Sequence, residues 1–170
     1  MDLRGFERAV VAFKDRVHAY ATRMLRDRAE AQDVAQDALV KLWQHRDTVD
    51  EGSARLWLMR TAHNLCIDRL RKRKVRSEIA DGDDVMDLQP DGSPGPELRA
   101  GATEIGAGIE GALAELGPID RAVLLMREVH ELPYEEIASV LGMPIGTMKA
   151  RLHRARERLR VRLVRIGVRP

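Results

Sequence analysis

The chain has 170 residues, 44% of them hydrophobic and 33% charged, with a formal net charge of +2. That apolar content supports packed cores and argues against wholesale disorder, the length allows one domain or two small ones, and only six aromatic residues make an all-α protein a better expectation than a β-sandwich. The single cysteine, Cys66, excludes a disulfide framework; no uncharged run approaches a membrane span of roughly 18 residues, and the charged start Met1-Asp2-Leu3-Arg4 lacks a signal core, so a soluble cytoplasmic protein is expected.

Residues 1–78 hold 17 basic and 12 acidic side chains, a local net charge of +5. Phe6, Val10, Phe13, Val17 and Tyr20–Ala21 recur at helical spacing and predict a helix over 4–25. A second helix is predicted from about Ala29 to Gln44, with Ala31, Val34, Ala38, Leu42 and Trp43 turned inward. Asp50-Glu51-Gly52-Ser53 reads as a turn, with Ser53 as N-cap of a third helix. That helix is expected to bury Leu56–Trp57, the Met59–Arg60 stems, Ala62–His63, Ile67 and Leu70, and to end in the basic run Arg69 to Arg76. Three helices over 1–76 make a small bundle. Cys66, alone in mid-helix, reads as a small buried hydrophobe rather than a redox centre.

Residues 79–110 carry one basic and eight acidic side chains, a local net charge of −7. Asp81-Gly82-Asp83-Asp84 and Pro90-Asp91-Gly92-Ser93-Pro94-Gly95-Pro96 do not sustain a helix or a core, so 79–108 reads as a flexible acidic linker. Residues 109–170 regain helical patterns, over Ile109–Leu116, over Pro118–His130 (Ile119, Ala122–Val123, Met126, Val129), over Pro133–Leu141 and from Ile145 to about Arg165. Their 11 basic and seven acidic side chains give +4. Two basic blocks flanking an acidic one point to two modules that each meet a polyanion.

Residues 134–158 read as a helix-turn-helix. Ala138 is small where two helices cross. Gly142, four residues later, permits a positive φ in the turn. Ile145, Met148 and Leu152 make a stripe facing Ile137, Val140 and Leu141. Gly146, Thr147, Lys149, Ala150, His153 and Arg154 then point away, on the half of the second helix that enters the major groove in this motif. A helical hairpin with a solvated basic face is the plainer alternative, but the agreement of all three spacings favours DNA binding.

Asp33, Gln36 and Asp37 stand at i, i+3 and i+4 on one helix face. Read alone, they fit an ordinary solvated face. Asn64 stands mid-helix, where asparagine has poor propensity. It either caps a carbonyl or faces water, or its amide contacts a base.

Together the blocks Asp33-Val34-Ala35-Gln36-Asp37-Ala38-Leu39-Val40-Lys41-Leu42-Trp43, Trp57-Leu58 through Ala62-His63-Asn64 to Asp68-Arg69-Leu70-Arg71, and Leu132-Pro133-Tyr134-Glu135-Glu136-Ile137-Ala138 through Gly146-Thr147-Met148-Lys149-Ala150-Arg151-Leu152-His153-Arg154 resemble the extracytoplasmic-function sigma factors of bacterial RNA polymerase. The resemblance covers nearly the whole chain except the linker. It implies two helical domains: a region 2-like domain over 1–78 and a region 4-like domain over 109–170. It assigns Asp33, Gln36 and Asp37 to the β′ clamp helices of core polymerase. It assigns Asn64 to a base of the minus-ten element, the loop around Asp47–Arg55 to a flipped base, and Arg60, Arg69, Arg71 and Lys72 to the same DNA. Arg127, Gly146, Thr147, Lys149, Ala150, Arg151, His153 and Arg154 would read the minus-thirty-five element. The β flap and an anti-sigma factor are further partners that the resemblance implies.

Two departures stand out. The family's loop before the tryptophan often carries phenylalanine or tyrosine, and Asp50 to Leu56 has neither. Pro133 stands where a serine cap is frequent. In the family the linker runs through the active-site cleft and RNA exit channel, so its carboxylates would mimic RNA there; a solvating tether is the plainer alternative. A helix-turn-helix regulator working without polymerase would explain 134–158 but not Asp33, Gln36, Asp37 or Asn64. An enzyme is disfavoured: the five histidines are scattered, no Cys/His spacing fits zinc, no phosphate-cradling glycine loop occurs, and no cofactor or metal is expected.

Overall fold

The first helix starts where Asp2 accepts a hydrogen bond from the Gly5 N–H at 2.7 Å, satisfying one of the donors a helix start leaves open. In the computed structural model, which describes residues 1–80 and 104–167, α1 then spans Leu3–Leu25. Arg26, in the left-handed region at φ 56°, ends it. Asp27 caps the next helix by accepting from the Glu30 N–H at 2.9 Å, and α2 spans Arg28–Gln44. α3 spans Ala54–Ala80. The predicted cap at Ser53 takes another form. Its hydroxyl donates to Asp50 at 2.7 Å while its carbonyl accepts from Trp57.

These three helices pack pairwise into the first of two compact units. Val17, Tyr20 and Met24 of α1, Val34 and Leu42 of α2, and Leu58 and Cys66 of α3 are fully enclosed. Ala21, Ala31, Ala38 and Ala62 are equally enclosed and let the helix axes approach closely. Cys66 is thus the buried hydrophobe expected, and burial pushes its thiol pKa up to about 12. At the centre the Tyr20 hydroxyl meets His63 Nδ1 at 2.9 Å, and burial lowers the His63 pKa to about 4.

Two expectations for this unit need correcting. Trp43 is 39% exposed, edge-on to Phe6 with ring centroids 5.0 Å apart, because Ala38 and Leu42 already complete the inner face of α2. On α3 the enclosed stripe is Leu58, Ala62 and Cys66, flanked by Met59 and His63. Leu56, Trp57, Ile67 and Leu70 lie at its margins, half-buried.

In the second unit α4 spans Glu104–Ala114, α5 Pro118–Leu124, α6 Tyr134–Leu141 and α7 Ile145–Arg165. α5 continues through a π turn, Leu125–Val129. α4 begins five residues before the predicted Ile109, so Gly106 and Gly108 lie inside a helix rather than a linker. Gly108 has a packing reason: a Cβ there would run into Ile166 Cδ1 at the end of α7. Of the predicted acidic linker 79–108, residues 81–103 lie outside the described residues.

The π turn overturns another expectation. The His130 N–H reaches back five residues to the Leu125 carbonyl at 3.0 Å. The extra residue carries Leu125 and Met126 inward and leaves Val129 46% exposed. Arg121 is buried and donates to the carbonyls of Leu113, Ala114 and Leu116 at 3.0, 2.9 and 3.1 Å. One guanidinium thus takes up the last two carbonyls of α4 and one just beyond it.

Candidate functional site

On α2 the buried positions Val34, Ala35 and Ala38 fix the roll of the helix and leave Asp33, Gln36 and Asp37 exposed on one edge. This edge is not an isolated acidic face. Arg69, from α3, places its guanidinium 3.3 Å from the Asp37 carboxylate and 3.8 Å from that of Asp33. A cation from the predicted DNA-binding set therefore sits between two carboxylates of the predicted polymerase-binding set.

α3 carries the remaining candidates of this unit. Asn64 lies between buried His63 and Cys66 yet is itself exposed, and Arg60 is exposed one turn earlier. Arg71 lies 3.8 Å from Asp68 on the same helix, and Lys72 is exposed. Arg73 belongs to the basic run but has a structural role. It donates to the Leu25 carbonyl at 2.9 Å and to Glu30 at 2.6 Å, tying the end of α1 and the start of α2 to α3. In the loop around Asp47–Arg55, Glu51 takes a bidentate pair from Arg8 at 2.7 and 2.6 Å, which holds its carboxyl below the usual range. The Ser53 hydroxyl does the same for Asp50. The loop has no aromatic residue of its own, but the rings of His45 and Trp57 flank it with centroids 5.7 Å apart.

In the second unit the turn forms as the sequence dictates. Gly142 takes φ 63°, its N–H bonds the Ala138 carbonyl, and Ala138 itself is buried. Met148, Leu152 and Ala155 form the buried stripe of α7, with Ile145 at its edge, 36% exposed. Gly146, Thr147, Lys149, Ala150, His153 and Arg154 are all exposed. At about 100° per residue they share the face opposite that stripe.

Arg151 is the exception among the predicted DNA-facing residues. It borders the buried stripe and donates to Asp120 at 2.9 Å, and Arg158 joins the same carboxylate at 3.3 Å. Asp120 is 9% exposed, so these ion pairs tie α7 to α5, with the Arg151 and Arg158 side chains still 37% and 63% exposed.

Arg127 sits in the π turn. It donates to the Leu132 carbonyl at 3.0 Å, and its guanidinium carbon lies 4.7 Å from the Tyr134 ring centroid. Lys149 Nζ lies 5.4 Å from the same centroid. Next to them Arg156 pairs with Glu128 at 2.5 and 2.8 Å, which raises its pKa. Sequence reading missed Tyr134 and Glu128 as organisers of this surface, since neither π turns nor ring–cation contacts leave a local signal. Among the described residues no group of three or more His, Cys, Asp or Glu is placed to hold a metal, and no helix is long and apolar enough to cross a membrane.

Comparison with known proteins agrees with this geometry. Residues 9–76 match the model of Sigma-70 region 2, and residues 107–159 match that of Sigma-70, region 4. The chain is 32% identical over 169 residues to ECF RNA polymerase sigma factor SigW of Bacillus subtilis, covering 95% of this chain and 90% of that one. It is 33% identical over 147 residues to ECF RNA polymerase sigma factor SigE of Mycolicibacterium smegmatis, covering 86% of this chain but only 56% of that longer relative. Among solved structures, the sigma factor RpoE of Bartonella quintana, in complex with the anti-sigma factor NepR, superposes with a TM-score of 0.76 at 25% identity, covering 95% of this chain and 98% of that one. With both helical units matched in order and a relative matched along nine-tenths of its length, the chain belongs to the extracytoplasmic-function RNA polymerase sigma factors.

Proposed function

We propose that the two units divide the work of promoter selection. The first binds core polymerase through Asp33, Gln36 and Asp37 on α2, a carboxylate edge suited to the basic β′ clamp helices. It holds minus-ten DNA through Asn64, Arg60, Arg71 and Lys72 on α3, with Arg69 shared between the two roles. The second reads the minus-thirty-five element through Arg127, Gly146, Thr147, Lys149, Ala150, His153 and Arg154, and meets the β flap. Arg151 is left out because Asp120 holds it.

The carrying observation is that one chain presents both an exposed carboxylate edge on α2 and a helix-turn-helix whose second helix exposes its cationic N-terminal half. A DNA-binding regulator needs only the second. On this reading the chain catalyses nothing itself, works in the cytoplasm and is restrained by an anti-sigma factor, as the structural relative's complex with NepR supports. The test is transcription by purified core polymerase from a promoter library, with and without the chain. New start sites that depend on the chain are expected. If no start site depends on it, the reading is lost.

A further inference from the structure

Two cations of the second unit, Arg127 and Lys149, come from segments 22 residues apart and meet over one ring, that of Tyr134, which Arg156, itself paired with Glu128, also approaches. Three features bring this about. The π turn adds a residue before α6 and aims Arg127 back over Tyr134, where the Leu132 carbonyl fixes it. Tyr134 is the first residue of α6, half-buried, so packing limits the motion of its ring. Lys149 lies in the second turn of α7, on the exposed face.

The choice of a ring has a physical consequence. A cation paired with a carboxylate, as Arg156 is with Glu128, has much of its charge already neutralised and must break that pair to take a phosphate. A cation over a ring is attracted only by the ring's quadrupole, keeps its full charge and stays available for counterion release from DNA. The ring also offsets the repulsion between two like charges held close together.

We propose that Tyr134 is a positioning residue for DNA recognition, its ring presetting Arg127 and Lys149 as a two-cation clamp for the upstream promoter element. The proposal rests on the reading of those two residues as DNA contacts, and the experiment separates the two. The full chain with core polymerase is measured on a promoter fragment selected from a random library by the wild-type complex, and on the same fragment with its upstream element scrambled. Tyr134→Phe and Tyr134→Trp keep the ring and should stay within about twofold of wild type. Tyr134→Leu should lose about fivefold on both fragments and reduce the salt slope, with core binding and the melting temperature held. Combined with Lys149→Ala, its loss should be less than the sum of the two single losses, because both remove the same clamp.

Wild-type affinity for Tyr134→Leu would overturn the proposal. Equal losses in Tyr134→Phe and Tyr134→Leu, or full additivity with Lys149→Ala, would also overturn it, since the hydroxyl or general packing would then be at work. If Arg127→Ala and Lys149→Ala both bind the selected fragment like wild type, the contact reading itself fails and takes the proposal with it.

Discussion

The two units place charge in different ways. In the first, the candidate cation Arg69 reaches across from α3 to two carboxylates on α2, so charges of opposite sign are stored against each other. In the second, Arg127 and Lys149 share an aromatic ring, while Arg151, Arg156, Arg158, Arg160 and Arg162 are tied to acids. The interiors differ in the same sense. The first encloses a neutral Tyr20–His63 pair, the second a carboxylate gripped by arginines. The candidate cation Arg69 of the first unit thus shares its charge with two acids, whereas Arg127 and Lys149 of the second are held against a ring.

The largest effect should come from inverting the balanced edge. Asp33→Arg with Asp37→Arg is expected to abolish comigration with core polymerase in gel filtration, because like charges then face the clamp helices. Retained holoenzyme would place the polymerase contact elsewhere on the unit.

The buried pair gives the next effect. His63 binds protons more weakly folded than unfolded, so its contribution to stability is full above pH 6.5 and is lost as pH falls towards about 4. That loss amounts to about 3 kcal/mol for the first unit. Denaturant titrations of wild type and His63→Gln across this window should show a clearly steeper pH slope in the former.

Asn64→Ala should weaken promoter opening about tenfold while core binding holds, within the range of a bidentate base contact. Lys149→Ala should instead lower affinity for all sequences and reduce the salt slope by about one. If Asn64→Ala also loses core binding, the separation of faces on the first unit breaks down.

The smallest effect is the most direct probe of the comparison. The Arg69 pairs are exposed, and exposed pairs are worth ~0.2–1 kcal/mol. Arg69→Gln should therefore tighten core binding by about twofold, by unmasking Asp33 and Asp37, while weakening promoter DNA binding. A loss in both would reduce Arg69 to a structural bridge.

What the sequence made legible was local. The left-handed turn at Gly142, the inward set Val34, Ala38 and Leu42, the buried Cys66 and the exposed face of α7 all follow from spacing or from a single residue's backbone preference. The misses arose between segments distant along the chain. Arg151 on Asp120, Arg73 on Leu25 and Glu30, and Arg69 on Asp33 and Asp37 are contacts 31 to 48 residues apart or nearly so, and a run of arginines looks the same whether it serves DNA or a neighbouring helix. Trp43 was misplaced because an apolar residue beside an already complete stripe has no local mark of being surplus. The start of α4 was misplaced because Gly106 and Gly108 read as breakers, when at Gly108 the glycine serves closeness to Ile166.

The bulge between Leu125 and Val129 also limits how this protein can be re-engineered. A recognition module grafted from a relative with an unbroken helix there would arrive one residue out of phase. Arg127 would swing by about a quarter of a turn away from its partner ring, although every individual residue had been copied faithfully.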